Sequence, residues 1–320
     1  MRRSRREFLS KSVEVGGGVL AATIGAERCV AGIEKKWPPI LDTHQHLWNL
    51  KKFRLSWTKD VPPLAKNFLM EDYLQAAKGL GVTKTIYMEV DVEASQQVAE
   101  AEHVLELCRH SDNPMVGAVI SGRPESPEFK SYLRRYRDDK YVKGVRRILH
   151  PPELPGDHCM QKTFVDNIRL LGEWGFSFDI CIRATDLINA AKLTAACPDT
   201  QFILDHCGNP QVGSTDMAKW RADITKVAEN PNIVCKISGF IASLQKDKWK
   251  PKDLAPVIQH VYSEFGAERV VFGSDWPVCN LAANYRGWVT ALRSIVNART
   301  DKEKRQLFYD NAARIYKVST

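Results

Sequence analysis

The chain is expected to fold as a single (β/α)8 barrel, on three observations. Eight short apolar runs rich in β-branched residues recur at 40–46, 84–90, 115–121, 142–149, 176–183, 201–206, 233–238 and 269–275. Helix-period segments separate them, clearest at 95–110, 163–174, 186–197 and 256–265, and such alternation with mostly apolar strands marks a parallel sheet covered by helices. No glycine follows the first run, where an open doubly wound sheet carries its phosphate turn; the residues there are Asp42-Thr43-His44-Gln45-His46-Leu47-Trp48. Eight units fit a chain of 320 residues, since barrels of this kind need about 250.

Residues 1–31 stand outside the repeat. A basic start (Arg2, Arg3, Arg5, Arg6), an apolar stretch at 13–26 and small residues near Ala26 and Ala31 form a secretory pattern. Ser4-Arg5-Arg6-Glu7-Phe8-Leu9 resembles the twin-arginine export motif, which implies passage through that machinery and work in the periplasm. The apolar stretch is shorter than the roughly 20 residues that span a bilayer, so no membrane anchor is expected after cleavage. The barrel is expected over 32–320.

The first run ends in two imidazoles, His44 and His46. Alternate residues of a strand share a face, so both are expected at the barrel mouth, where barrel enzymes place their chemistry. The connection at 47–69 is abnormally long and holds Trp48, Phe53, Trp57, Pro62, Pro63 and Phe68; its aromatic content predicts an ordered lid. The fourth run carries Arg146 and closes at His150 with the same parity, and the fifth carries Asp179. The sixth ends at His206 and the eighth at Asp275, each before a loop containing Gly or Pro. A strand-end Asp also suits capping of the next helix. Lys236 and Ser238 end the seventh run; for Lys143, Arg147, Arg183 and Lys236 a solvated face explains the charge as well as a function does. The segment 302–316 reads as a last helix packed on the barrel's outside.

Composition narrows the partners. The net charge of +8 falls to +5 without residues 1–31, which carry six Lys/Arg and three acids. No basic run or aromatic-interleaved patch remains, which argues against nucleic acid and leaves a small-molecule substrate. Seven cysteines follow residue 31 with no CxxC pair, so neither a zinc knuckle nor a redox dithiol is signalled.

His44 and His46 after strand 1, His206 after strand 6 and Asp275 after strand 8 together resemble the amidohydrolase superfamily. The resemblance is closer to its branch of lactonases, which includes sugar-lactone hydrolases acting on fucono- and rhamnonolactones and a pyrone-dicarboxylate lactonase. The matching stretches are DTHQHLW, the LSW of the long loop, KGVR, GFSFDICI, CPDTQFILDHCGNP, VCKISGF, RVVFGSDWPVC and NAARIY. Binuclear superfamily members carry a bridging Lys or Glu at strand 4 and a His at strand 5. Here those strands offer Arg146, and Asp179 with Cys181, so a two-metal site is not expected. The resemblance implies either one zinc-like ion on His44, His46, His206 and Asp275, a ligand set that suits Zn²⁺, or metal-free work.

Lactone hydrolysis then requires Asp275 to take the proton of the attacking water, with His44, His46 and His206 polarising the carbonyl. Arg146, with Asp179 and His150, is expected to hold substrate carboxylate or hydroxyl groups. Trp48, Trp57 and Trp276 are candidates for the pocket walls. A zinc-dependent decarboxylase of the same branch is the alternative chemistry and would release carbon dioxide. An exported non-catalytic carbohydrate-binding barrel would bind sugar without turnover, and it leaves the three histidines and Asp275 without a purpose.

Overall fold

The computed structural model describes residues 37–214 and 217–319. The export segment read at 1–31 lies outside them. Eight strands, β1 (Ile40–Gln45), β2 (Val82–Met88), β3 (Met115–Ser121), β4 (Val142–Ile148), β5 (Ser177–Cys181), β6 (Gln201–Leu204), β7 (Ile233–Ile237) and β8 (Val270–Phe272), pair in chain order. Every ladder between neighbours is parallel. The seam between the last strand and the first is drawn together just past β8: the Asp275 N–H donates to His44 O and the His46 N–H to Trp276 O, both at 2.8 Å. The outer helices α1 (Met70–Ala77), α2 (Gln97–Arg109), α3 (Phe129–Arg134), α4 (Lys162–Glu173), α5 (Leu187–Ala196), α6 (Ala218–Ala228), α7 (Pro251–Phe265) and α8 (Tyr285–Ile295) follow their strands in turn. This is the (β/α)8 barrel that the alternation predicts.

The two faces of the strands bury against different partners. Outward residues such as Ile180, Phe202, Cys235 and Phe272 join the large core shared with the helices. Inward residues Leu41, Ile86, Val119, Ile203, Val234 and Val271 form an apolar layer near the lower end of the barrel. The chain's last segment closes that end. A short helix α9 (Asp301–Arg305), a wider π-type turn at Gln306–Asp310 and α10 (Asn311–Ile315) carry Tyr309, Ala312, Ile315 and Tyr316 onto the inward layer. The expectation of a helix on the outside is thereby corrected. Tyr316 is 1% exposed and its hydroxyl reaches Asp179 Oδ2 at 2.9 Å, inside the barrel.

The connection at 47–69 is ordered by aromatic contacts. Trp48 and Phe68 exchange backbone hydrogen bonds at 2.9 Å, and their rings meet edge to face. The Trp48 indole N–H donates to Lys66 O and that of Trp57 to Val90 O, so the segment is pinned across the mouth to the end of β2.

Candidate active site

On four of the strands the inward position nearest the mouth is charged. Val234 is followed by Lys236, Ile203 by Asp205, Ser177 by Asp179 and Gly144 by Arg146. Period-2 alternation therefore stacks a charged layer directly on the apolar one. β1 joins it through a register irregularity between Asp42 and Gln45, where Asp42 Oδ1 accepts the His44 N–H at 3.1 Å. Asp42 also accepts the Ser274 N–H and the hydroxyls of Tyr73 and Tyr285, each at 2.8 Å. His44 thereby enters the axis beside Gly273, where a Cβ would come within 2.7 Å of the His44 Cβ.

Lys236, fully buried, is the hub of this layer. Its ammonium lies 2.6 Å from Asp179, 3.0 Å from Asp205 and 3.3 Å from His44 Nδ1. Arg146 forms the second ion pair: Nε donates to Glu89 Oε1 and one terminal nitrogen to Glu89 O, both at 2.6 Å. Its other terminal nitrogen faces His44 Nε2 at 3.2 Å and Asp205 at 3.5 Å. Burial opposes charge on Asp205, yet Lys236 and His44 hold its carboxyl well below the usual range. Burial drives the His44 imidazole well below its ordinary value and lowers that of His206, so both are neutral, lone-pair-bearing rings near neutral pH.

Above this layer opens a cavity of about 630 Å³, among whose lining residues are His46, Arg146, His150, His206 and Asp275. At its floor, Asp275 Oδ1 lies 3.2 Å from His46 Nε2 and 3.6 Å from His44 Nε2. His46 Nδ1 is 2.9 Å from the Met88 carbonyl, which can only accept, so Nδ1 carries a proton and Nε2 is the atom that faces Asp275. His206 is held through Nδ1 by Ser238 Oγ at 2.9 Å; a side chain at Gly239 would collide with its ring. His206 and Asp275 both adopt left-handed backbone, φ 55°, a conformation that costs a non-glycine residue on the order of 1 kcal/mol or more and clusters at functional sites.

The structure brings His44, His46, His206 and Asp275 together, with Arg146 beneath them and His150, Trp48 and Trp57 on the walls. Two expected contributors lie elsewhere. Asp179 is below the cavity, committed to Lys236 and Tyr316. Trp276, 3% exposed, packs on Phe68 and Tyr73 behind the wall. Lys236 has no solvated face, whereas Lys143, Arg147 and Arg183 bond to groups outside the floor: Lys140 O, Glu125 and Pro151 O. Glu89 and Asp205 were not singled out from the sequence. Strand parity with inward Ile203 would have found Asp205, and parity with Val234 would have placed Lys236 inside.

Among the described residues, two groups of three ligands are close enough to hold a cation: His44, His46 and Asp275, and His44, Asp205 and His206. Tetrahedral ligands about 2.0–2.2 Å from zinc stand roughly 3.4 Å apart, and the contacts of Asp275 with the two imidazoles bracket that spacing. The Met88 carbonyl behind His46 Nδ1 fixes the ring's orientation, as a backbone carbonyl commonly does for a metal-binding imidazole. Asp205, in contrast, already faces two cations, Lys236 and Arg146. Counted as ionised, the carboxylates of Glu89, Asp179, Asp205 and Asp275 exceed the cations Lys236 and Arg146 by two charges. The group His44, His46 and Asp275 therefore fits a divalent ion.

The cavity wall at β2 rests on another buried acid. Glu100 Oε1 accepts the Val90 N–H at 2.8 Å and the Tyr87 hydroxyl at 3.0 Å. Burial, with Glu89 adding to it, pushes the Glu100 carboxyl up to about 8. The folded state thus binds this proton more tightly than the unfolded chain, where a Glu titrates near about 4.3. Its contribution to stability is complete below that value and is lost as pH rises through about 8. Glu100→Gln is expected to flatten this slope, losing on the order of 4 kcal/mol less than the parent between about pH 5 and pH 9. Denaturant unfolding at both pH values checks it, and identical slopes for the two proteins would refute the assignment.

A family model described as Amidohydrolase matches residues 41–318. The chain is 26% identical over 299 residues to an L-fucono-1,5-lactonase of Burkholderia multivorans, covering 86% of this chain and 95% of that protein. It is 22% identical over 337 residues to an L-rhamnono-gamma-lactonase of Scheffersomyces stipitis, covering 87% and 98%. Among solved structures, an amidohydrolase of Burkholderia multivorans with bound zinc superposes with a TM-score of 0.79 at 23% identity, over 88% of this chain and all of that one.

Proposed function

The chain belongs to the amidohydrolase family, and from that premise we propose that it opens lactones by attack of water, with Asp275 as proton acceptor. One observation carries the reading: a carboxylate at the cavity floor, held between the imidazoles of His44 and His46, has no Lys or Arg ion pair among the described residues. The lactonase names of the relatives in Burkholderia and Scheffersomyces support the choice of a cyclic ester.

A lactone seated in the cavity presents its carbonyl carbon to a water beside Asp275. Asp275 takes a proton from that water as the new C–O bond forms, and the carbonyl oxygen gains the negative charge. His206, held by Ser238, faces the same space, and a fixed donor aimed at the forming oxyanion is worth about 3–4 kcal/mol. Collapse expels the ring oxygen, which takes the proton back from Asp275, and the product is the hydroxy acid. His44, His46 and Asp275 would hold a divalent ion, with His206 next to them, and such an ion supplies Lewis acidity to the carbonyl.

The test is a pH-indicator assay over a panel of sugar lactones, paired with elemental analysis of the purified protein. Acid release with about one zinc per chain, lost on chelation and restored by zinc, is the expected result. Carbon dioxide release from carboxylated substrates, without acid release from any lactone, would move the protein to the decarboxylase chemistry of the same superfamily.

A further inference from the structure

We propose that Asp91 and Trp57 form the subsite that recognises the vicinal hydroxyls of a neutral, polyhydroxylated lactone, and that the acidic lining around them turns away anionic ones. This rests on the lactone-hydrolase reading above.

Asp91 stands just past the end of β2, on the cavity wall. Like His206 and Asp275 it is held in left-handed backbone, φ 52°. Its N–H donates to Glu89 Oε2 at 2.7 Å, and Glu89 is in turn clamped by Arg146. The preceding residue is fastened on both sides: the Val90 carbonyl accepts from the Trp57 indole at 2.9 Å, and the Val90 N–H donates to Glu100 at 2.8 Å. The backbone of Asp91 is therefore fixed and strained, whereas its carboxylate takes no hydrogen bond or ion pair from the described residues. Burial, with the Glu89 charge adding to it, holds that carboxyl above its usual range. Donors brought by a ligand would relieve this cost. A carboxylate accepts two neighbouring hydroxyls at once through charge-assisted bonds, and the indole beside it offers an apolar face to the C–H side of a sugar ring.

The lining supplies the charge selectivity. Asp60, Asp91, Glu153 and Asp275 contribute carboxylates, and Arg146 is the one cation among the lining residues. Its donors already serve Glu89 and face His44. A carboxylated lactone would enter against that excess without a free fork to receive it.

Three substrates separate the possibilities: galactonolactone, which is neutral and polyhydroxylated; glucarolactone, which adds a carboxylate; and valerolactone, which has no hydroxyls. The parent is expected to prefer galactonolactone to glucarolactone at least about a hundredfold in kcat/KM. Asp91→Ala is expected to cut the galactonolactone-to-valerolactone ratio at least about tenfold, mainly through KM, as loss of a charged hydrogen-bond partner implies. Asp91→Asn keeps the shape without the charge and is expected to raise glucarolactone relative to galactonolactone. Substrate ratios unmoved by both substitutions would overturn the proposal. If the parent opens no lactone, the hydrolase reading fails by itself. Calorimetry with the non-hydrolysable lactam of galactonic acid then decides: binding at least about tenfold weaker in Asp91→Ala supports the subsite, and equal or absent binding overturns it.

Discussion

Asp275→Asn is expected to lower kcat/KM for lactone opening by at least about a thousandfold, within the range that general base catalysis commonly supplies, while unfolding stays close to that of the parent. The substitution is nearly isosteric. Asn also tolerates the left-handed backbone of this position better than other residues do, so the φ of 55° and the bond from the residue 275 N–H to His44 O survive. What disappears is the negative charge between His44 and His46 and the capacity to take a proton. Steady-state kinetics with thermal unfolding of both proteins checks the expectation. Activity within tenfold of the parent would remove Asp275 from the role of base.

Lys236→Met is expected to destabilise the barrel strongly. The ammonium is shielded from water and lies against Asp179, Asp205 and the face of Tyr316, whose ring centroid is 5.7 Å away. Without it, two fully buried carboxylates keep their cost of burial and lose their counter-charge; breaking a buried pair from one side costs about 3–5 kcal/mol. Asp205 retains Arg146 at 3.5 Å, but Asp179 is left with the Tyr316 hydroxyl. Adding Asp179→Asn to Lys236→Met should therefore recover part of the loss, a coupling that denaturant unfolding of the two single variants and the double variant would measure. A loss below about 1 kcal/mol for Lys236→Met would show that the charged layer does not act as a unit.

Much of the site was legible from strand ends. His44, His46, His206 and Asp275 each close an apolar run with a side chain that a core does not select, and the barrel topology carries them to one mouth. The charged layer below was harder to see. Lys236 reads as one cation near a strand end, and its burial follows only once Val234 is known to point inward. Arg146 reads as a donor fork open to substrate until Glu89, 57 residues earlier, is found on it. Trp276 belongs to the wall's backing and not to its face because Phe68 and Tyr73, from a different connection, cover it.

By itself the sequence determined the alternation of strands and helices, the apolar character of the sheet and the identity of the strand-end histidines and Asp275. These follow from periodicity and burial, which are local and additive along a chain. Which charges neutralise one another, and which remain open to a ligand, was decided only by the tertiary structure. The parallel register that sets Arg146 beside Asp179 and Lys236 beside Val271 assigns Lys236 to two acids and Arg146 to Glu89. The electrostatic energy of a buried charge depends on neighbours a few ångströms away in space, whatever their separation in sequence. The same pairing leaves Asp275 and Asp91 at the cavity surface with no Lys or Arg ion pair among the described residues.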